Sequence, residues 1–409
     1  MGAKTPAMTN AAETAPKIDP GATPASPRRL LALVTAVMLN MVFGSLYAWS
    51  VFIAGLERDL GILRTDVSVV FALAIVSFTA GNYVVPFAFG RMKTALLPLF
   101  GLISGAGGLA LAALGDGYMA VVVGYGVFFG LGCGLNYNVV LQAGLAALPG
   151  RAGLANGLII SSFAAGGVVA AYLLEMSVAS AGVRASFWML ALTVSGAGAV
   201  AMILLALSGV HLPRQRMSSS GPSTSNIMQI CWPGFFLGAL AGTMSIGHAA
   251  AVITHFGGAA ETAVLGVTLL SVGNASGRLA AGWLSDYVAV RSVAGISHLT
   301  GALGFVVVLA NPTGEAALIS MALAGAAYGM TAGIYPSAVS IFLGPENYGR
   351  NFGILLTAWG VAGLIGPTAG GYFYDLTSDY RVSLEIACVA SVLALFNAMR
   401  LPNVRRHLD

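Results

Sequence analysis

"HLPRQRMSSSGPSTSN", residues 211–226, is the longest polar interruption in a chain that is otherwise a succession of apolar runs. It is rich in Ser, Pro and Arg, and its position decides how the rest is read. Six apolar segments precede it, at 30–54, 67–90, 94–114, 119–148, 154–178 and 186–210. Six follow it, at 229–255, 261–285, 290–310, 316–343, 351–373 and 382–400. Runs of about 20 apolar residues are long enough to cross a hydrocarbon core of ~30 Å as helices. The chain reads as an all-α membrane protein with twelve transmembrane helices in two six-helix bundles.

Composition points the same way. Of 409 residues, 57% are hydrophobic and only 8% charged, against about 25% charged in a soluble domain. The mean hydropathy is +0.85. A transmembrane barrel would show alternation in ~10-residue segments, and these runs are continuous. Residues 1–28, rich in Ala, Thr and Pro, read as a disordered tail. The bundles are expected at 29–210 and 229–400, joined by a linker at 211–228, with a short tail at 401–409. Cys133, Cys231 and Cys388 are scattered, form no CxxC, and read as small packing residues.

Lys and Arg set the orientation. With the N-terminus cytoplasmic, fourteen of the nineteen fall inside: Lys4, Lys17, Arg28, Arg29, Arg91, Lys93, Arg151, Arg214, Arg216, Arg291, Arg350, Arg400, Arg405 and Arg406. Four fall outside: Arg58, Arg64, Arg184 and Arg381. Both termini are therefore expected in the cytoplasm, with the protein in the inner membrane. The net charge of +4 is explained by this topology, so no nucleic-acid partner is expected.

The two bundles echo each other. "GLGCGLNYN" (Gly130–Asn138) resembles "GAAYGMTAG" (Gly325–Gly333), 195 positions on, and Gly153 and Gly157 return 196 positions on as Gly349 and Gly353. Two related halves suit a carrier that rocks around a central site.

The nineteenth basic residue, Arg278, is in neither loop set. It lies in "SVGNASGRLAAGWLSD" (Ser271–Asp286), within the eighth segment. Eight residues before Asp286, it is about 12 Å deep at ~1.5 Å per residue. Burying its charge costs at least ~2.5–3.5 kcal/mol. No Asp or Glu is placed at mid-membrane depth by the segments, so its natural partner is an anion brought from outside, and a guanidinium fork matches a carboxylate. The structural alternative is an arginine bonded to backbone carbonyls.

Tyr47 and Trp49 in the first segment, Asn136 and Tyr137 in the fourth, Tyr328 and Tyr335 in the tenth and Trp359 in the eleventh are candidates to line the same site. Each could instead be packing or part of an interfacial aromatic belt. His248 and His255, seven residues apart on one face of the seventh segment, are candidate proton relays or hydrogen-bonded core histidines. Arg91 and Lys93, between segments two and three, and Asp286 and Arg291, between eight and nine, are candidate gating charges. No metal-ligand spacing or catalytic constellation is present, so neither an enzyme nor a cofactor is expected. The expected partners are a small carboxylate anion, a proton if a histidine relays one, and the lipid bilayer, with the monomer as the working unit.

"GSLYAWSVF", "GCGLNYN", "GHAAAV", "SGRLAAGWLSD" and "YGRNFGILLTAWGVAGLIGPTAGGYFYD" resemble the oxalate/formate antiporter family of the major facilitator superfamily, and its relatives the monocarboxylate transporters. The resemblance spans about residues 30–400 and implies transport of small organic anions by symport or antiport, with Arg278 on the carboxylate. Oxalate carriers place a lysine in the "TAWG" region, where this chain has Trp359. Proton-coupled monocarboxylate transporters carry an aspartate one turn before the arginine, where this chain has Asn274. They also carry a lysine in the first helix, which this chain lacks.

Overall fold

The computed structural model describes residues 27–62, 64–148, 150–212, 222–344 and 347–403. The tail at 1–26, most of the linker (213–221) and residues 404–409 lie outside the described residues.

The described chain is helical almost throughout. Helix α1 (Pro27–Phe43) runs into a tighter 3-10 stretch, Gly44–Phe52. A short helix, Ile53–Leu60, leads to α2 (Arg64–Val84). Then follow α3 (Leu97–Leu114) and α4 (Tyr118–Ala147). One unbroken run, Ala152–Ser208, holds two helices, α5 (152–181) and α6 (183–208). They part at Gly182, whose φ of 83° and ψ of 175° are open to glycine alone among common residues. The second half comprises α7 (Pro222–His255), α8 (Ala260–Leu284), α9 (Val290–Ala310), α10 (Gly314–Leu343), α11 (Tyr348–Thr377) and α12 (Arg381–Ala398).

These twelve helices match the twelve apolar segments to within a few residues, apart from α7, once the 3-10 stretches Gly44–Phe52 and Val85–Ala88 that continue α1 and α2 are counted with them. That helix begins at Pro222, so the expected linker at 211–228 is shorter than its polarity suggests. Proline is well suited to a first helical turn, where its missing N–H is not needed.

The apolar composition is accounted for by the outer helices. Ile103 on α3, Leu192 on α6, Leu303 on α9 and Phe396 on α12 are each more than half exposed, as lipid-facing side chains are. The two halves meet through the inner helices: α5 packs on α8, and α2 on α11. We call the face where α1 starts and α12 ends the proximal face, and the opposite one the distal face.

Candidate functional site

Between the halves lies a narrow cavity. All eight inner helices contribute to its wall. The first half supplies Tyr47 from the 3-10 end of α1, Phe78 from α2, Tyr137 from α4, and Ile160 and Phe163 from α5. The second half supplies Phe235 (α7), Arg278 (α8), Ala332 and Pro336 (α10), and Phe352, Leu356 and Trp359 (α11). Tyr137 stands ten residues before the end of α4, and Phe163 and Trp359 eleven after the starts of α5 and α11. That is about 15 Å by helical rise, half of a ~30 Å hydrocarbon core.

The rings brace one another. Phe78 meets Tyr137, Phe163 and Trp359 edge-on, at centroid distances of 5.2, 5.8 and 5.7 Å. Tyr47 and Tyr137 each meet Phe163 edge-on, at 5.1 and 5.2 Å. The result is a largely apolar box with tyrosine hydroxyls and one cation in its wall.

That cation is Arg278, only 3% exposed. Its Nε donates to Asn274 Oδ1, one turn back on α8, at 2.9 Å. Its Cζ lies 5.6 Å from the Tyr328 ring centroid, within cation–π range. Tyr328 in turn accepts the Trp359 indole N–H at 2.7 Å. Tyr47, Tyr137 and Tyr328 are within electrostatic reach of the guanidinium. No Asp or Glu lines the cavity among the described residues. A neutral amide orients the guanidinium, and its positive charge is not cancelled.

The sequence expectations separate here. Tyr47, Tyr137, Arg278 and Trp359 line the cavity, and Tyr328 backs the arginine. Trp49, Asn136 and Tyr335 stand outside it. Trp49 is two residues from Tyr47, hence most of the way round to the other side of the helix. It packs on Tyr125 and Phe52 inside the first half, at 4.4 and 5.9 Å. Asn136, a third of a turn from Tyr137, faces Gly101 of α3. Tyr335 faces α9, where its hydroxyl meets His298 Nε2 at 2.9 Å.

His248 and His255 are also away from the cavity. His248 Nε2 lies 2.9 Å from the Pro367 carbonyl oxygen of α11. His255 Nε2 lies 3.1 Å from Asp379 Oδ1 near the distal face. Sequence reading missed Phe78, Phe163 and Phe352. The repeat carried a signal for one of them, because Phe163 lies 196 positions before Trp359.

The halves are joined on the proximal side of the cavity. Asp286, just after α8, accepts the backbone N–H groups of Gly153 and Leu154, both at 2.9 Å. These belong to the first turn of α5, where unsatisfied donors and the helix dipole favour a carboxylate. Directly behind, Gly153 and Gly157 face Gly282 closely: a Cβ on Gly153 or Gly282 would strike the other helix, and one on Gly157 would fit only tightly. Ser161 donates to the Ala275 carbonyl at 3.1 Å. On the pseudo-symmetric side, Asn138 Nδ2 donates to the Gly349 carbonyl at 2.9 Å, and the Tyr348 hydroxyl to Asn156 Oδ1 at 3.0 Å. Of the other expected gating charges, Arg91 and Lys93 are exposed and Arg291 is half-buried.

Comparison with known proteins agrees with this architecture. The profile of the Major Facilitator Superfamily matches residues 231–408. The chain is 26% identical to the uncharacterised MFS-type transporter YhjX of Escherichia coli K12 over 361 residues, 82% of this chain and 86% of that one. It is 24% identical to the oxalate:formate antiporter of Oxalobacter formigenes over 394 residues, 90% and 91% of the two chains. A 151-residue stretch is 32% identical to mouse monocarboxylate transporter 11, covering 34% of this chain and 33% of that one. Among solved structures, the proton:xylose symporter XylE superposes with a TM-score of 0.73 at 14% identity, over 93% of this chain and 98% of that one. The human organic anion transporter MFSD10 gives 0.72 at 13% identity, over 91% and 100%.

Proposed function

We propose that this chain, a major facilitator superfamily protein, is a secondary active transporter of small monocarboxylates, with Arg278 holding the carboxylate. The observation that carries this reading is a buried arginine in the wall of a central cavity whose lining includes no acid among the described residues. Such a charge is costly to bury alone and is offset by an anionic ligand. Asn274 fixes the guanidinium through Nε, and the N–H donors of Nη1 and Nη2 are the ones a carboxylate would meet. The hydroxyls of Tyr47 and Tyr137 supply donors without adding charge.

The transport cycle is alternating access. The proximal contacts Asp286–Gly153 and Asn138–Gly349 close one side, and their opening releases the anion there. The Lys and Arg distribution supports a cytoplasmic proximal face, and the proposal takes the inner membrane as the location and a monomer as the working unit.

Uptake of radiolabelled pyruvate, lactate, glycolate, formate and oxalate into proteoliposomes tests the proposal. Arg278→Gln and Arg278→Lys are expected to abolish carboxylate uptake while reaching the membrane normally. Normal uptake of every acid by these variants would overturn it. The second reading is an oxalate/formate-type exchanger, favoured by the antiporter relative that spans 90% of this chain. It requires counterflow driven by internal anion and uptake that ignores a pH gradient.

A further inference from the structure

Four buried amides run from the level of the cavity toward the proximal face: Asn138 and Gln142 on α4, Asn82 on α2 and Asn156 on α5. None is more than 4% exposed. Each has an atom with no hydrogen-bond partner: Asn82 Nδ2, Asn138 Oδ1, Gln142 Nε2 and Asn156 Nδ2. Three of the four are donors. A buried donor without an acceptor is costly, so a cluster of them on one side of a closing interface calls for an explanation.

Their positions are connected. Asn138 Nδ2 donates to both the backbone carbonyl and Oδ1 of Asn82, each at 3.1 Å, and across the interface to Gly349. Gln142 Nε2 and Asn138 Oδ1 converge on the same Gly349, and Asn156 meets its neighbour Tyr348. Gln142 is five residues from the end of α4, and Asn156 four from the start of α5. That places them ~6–8 Å from the helix ends, against about 15 Å for the cavity residues. All four amides belong to the first half. Their counterparts in the repeat are Arg278, Gly333, Ser337 and Phe352, so the duplicated fold does not itself demand them.

We propose that Asn82, Asn138, Gln142 and Asn156 form a second carboxylate-binding station, used when the halves are parted at the proximal face. The proposal rests on the reading of Arg278 as the carboxylate site. Parting withdraws Tyr348 and Gly349 with the second half, uncovers these donors, and leaves the Asn138 amide held by Asn82 alone. A set of N–H donors suits a ligand that only accepts, as a carboxylate does. Neutral donors hold an anion less tightly than a guanidinium. The station receives the anion as it leaves Arg278 and then lets it go.

The test compares the KM for radiolabelled pyruvate and lactate from each face, in inside-out and right-side-out vesicles. Gln142→Met and Asn82→Leu remove donors at nearly constant volume, and Gln142→Glu sets a negative charge in the anion's path. The expected result is a KM raised on the order of two- to tenfold from the proximal face, with the distal KM within about twofold of wild type. The unchanged distal KM also shows that the variants fold. A proximal KM that stays at the wild-type value overturns the station. So do changes of opposite sign at the two faces, which mark a shifted gate equilibrium. Full uptake by Arg278→Gln removes instead the reading on which the station rests.

Discussion

Asp286 and Gly153 join the two halves of the molecule through a single carboxylate: the acid just after α8 caps the start of α5, at 2.9 Å. The bond exists only while the proximal side is closed. Hydrogen bonds to a charged group contribute about 1.5–3 kcal/mol each. Asp286→Asn is therefore expected to move the equilibrium toward the proximal-open state by about tenfold or more. Labelling of a Ser161→Cys variant by an impermeant maleimide added at the proximal face reports this, because Ser161 lies in the interface that parts. An unchanged labelling rate would separate Asp286 from gating.

Asn274 gives a prediction about protons. Its amide orients Arg278 without neutralising it. In Asn274→Asp the new carboxylate, ionised at neutral pH, competes with the substrate for the guanidinium. We expect the carboxylate KM to rise about tenfold at neutral pH, as a charge-assisted bond of ~1.5–3 kcal/mol would require. Acidification protonates the aspartate and frees Arg278, so the KM should fall as the pH is lowered. A variant whose KM stays flat with pH would contradict this.

Trp359 gives a prediction about valence. It caps the Tyr328 hydroxyl and packs on Phe78. Trp359→Lys brings a second cation into the cavity. Oxalate should then compete with labelled monocarboxylate about tenfold better than in the wild type, and monocarboxylate affinity should drop. Inhibition curves for both acids measure the change directly.

His248 gives a prediction of small effect. Its ring nitrogen is engaged by the Pro367 carbonyl, outside the cavity. His248→Gln should keep carboxylate uptake within about twofold of wild type across the pH range. Stability in detergent should fall by about 1 kcal/mol, the worth of one hydrogen bond. A flattened pH profile would instead make His248 a proton relay.

Much of the fold was legible because spanning helices advertise themselves by length and apolarity, and a polar linker marks the centre. Arg278 was legible for the same reason in reverse, as a charge where charges are costly. The site around it was less so. Trp49 and Asn136 stand beside true cavity residues in sequence, yet a helix turns neighbours to different faces. Phe78 and Phe352 look like any of the chain's 19 phenylalanines until tertiary packing selects them. Asp286 could be read as a loop charge, but its contact with α5 joins positions 133 residues apart, and no local pattern carries that.

The neutral partnership of Arg278 and Asn274 has an electrical consequence. On the proposed reading, the empty carrier holds one uncompensated positive charge at its centre, and the monocarboxylate-loaded carrier holds none. Closing both sides around the empty site would strand that charge in a low-dielectric box, whereas closing around the loaded site encloses a neutral pair. The loaded carrier then reorients more readily than the empty one, which favours swapping one anion for another over a one-way trip. Any net flux makes the empty return voltage-sensitive, by as much as ~2.3 kcal/mol per 100 mV if the charge crosses the whole field.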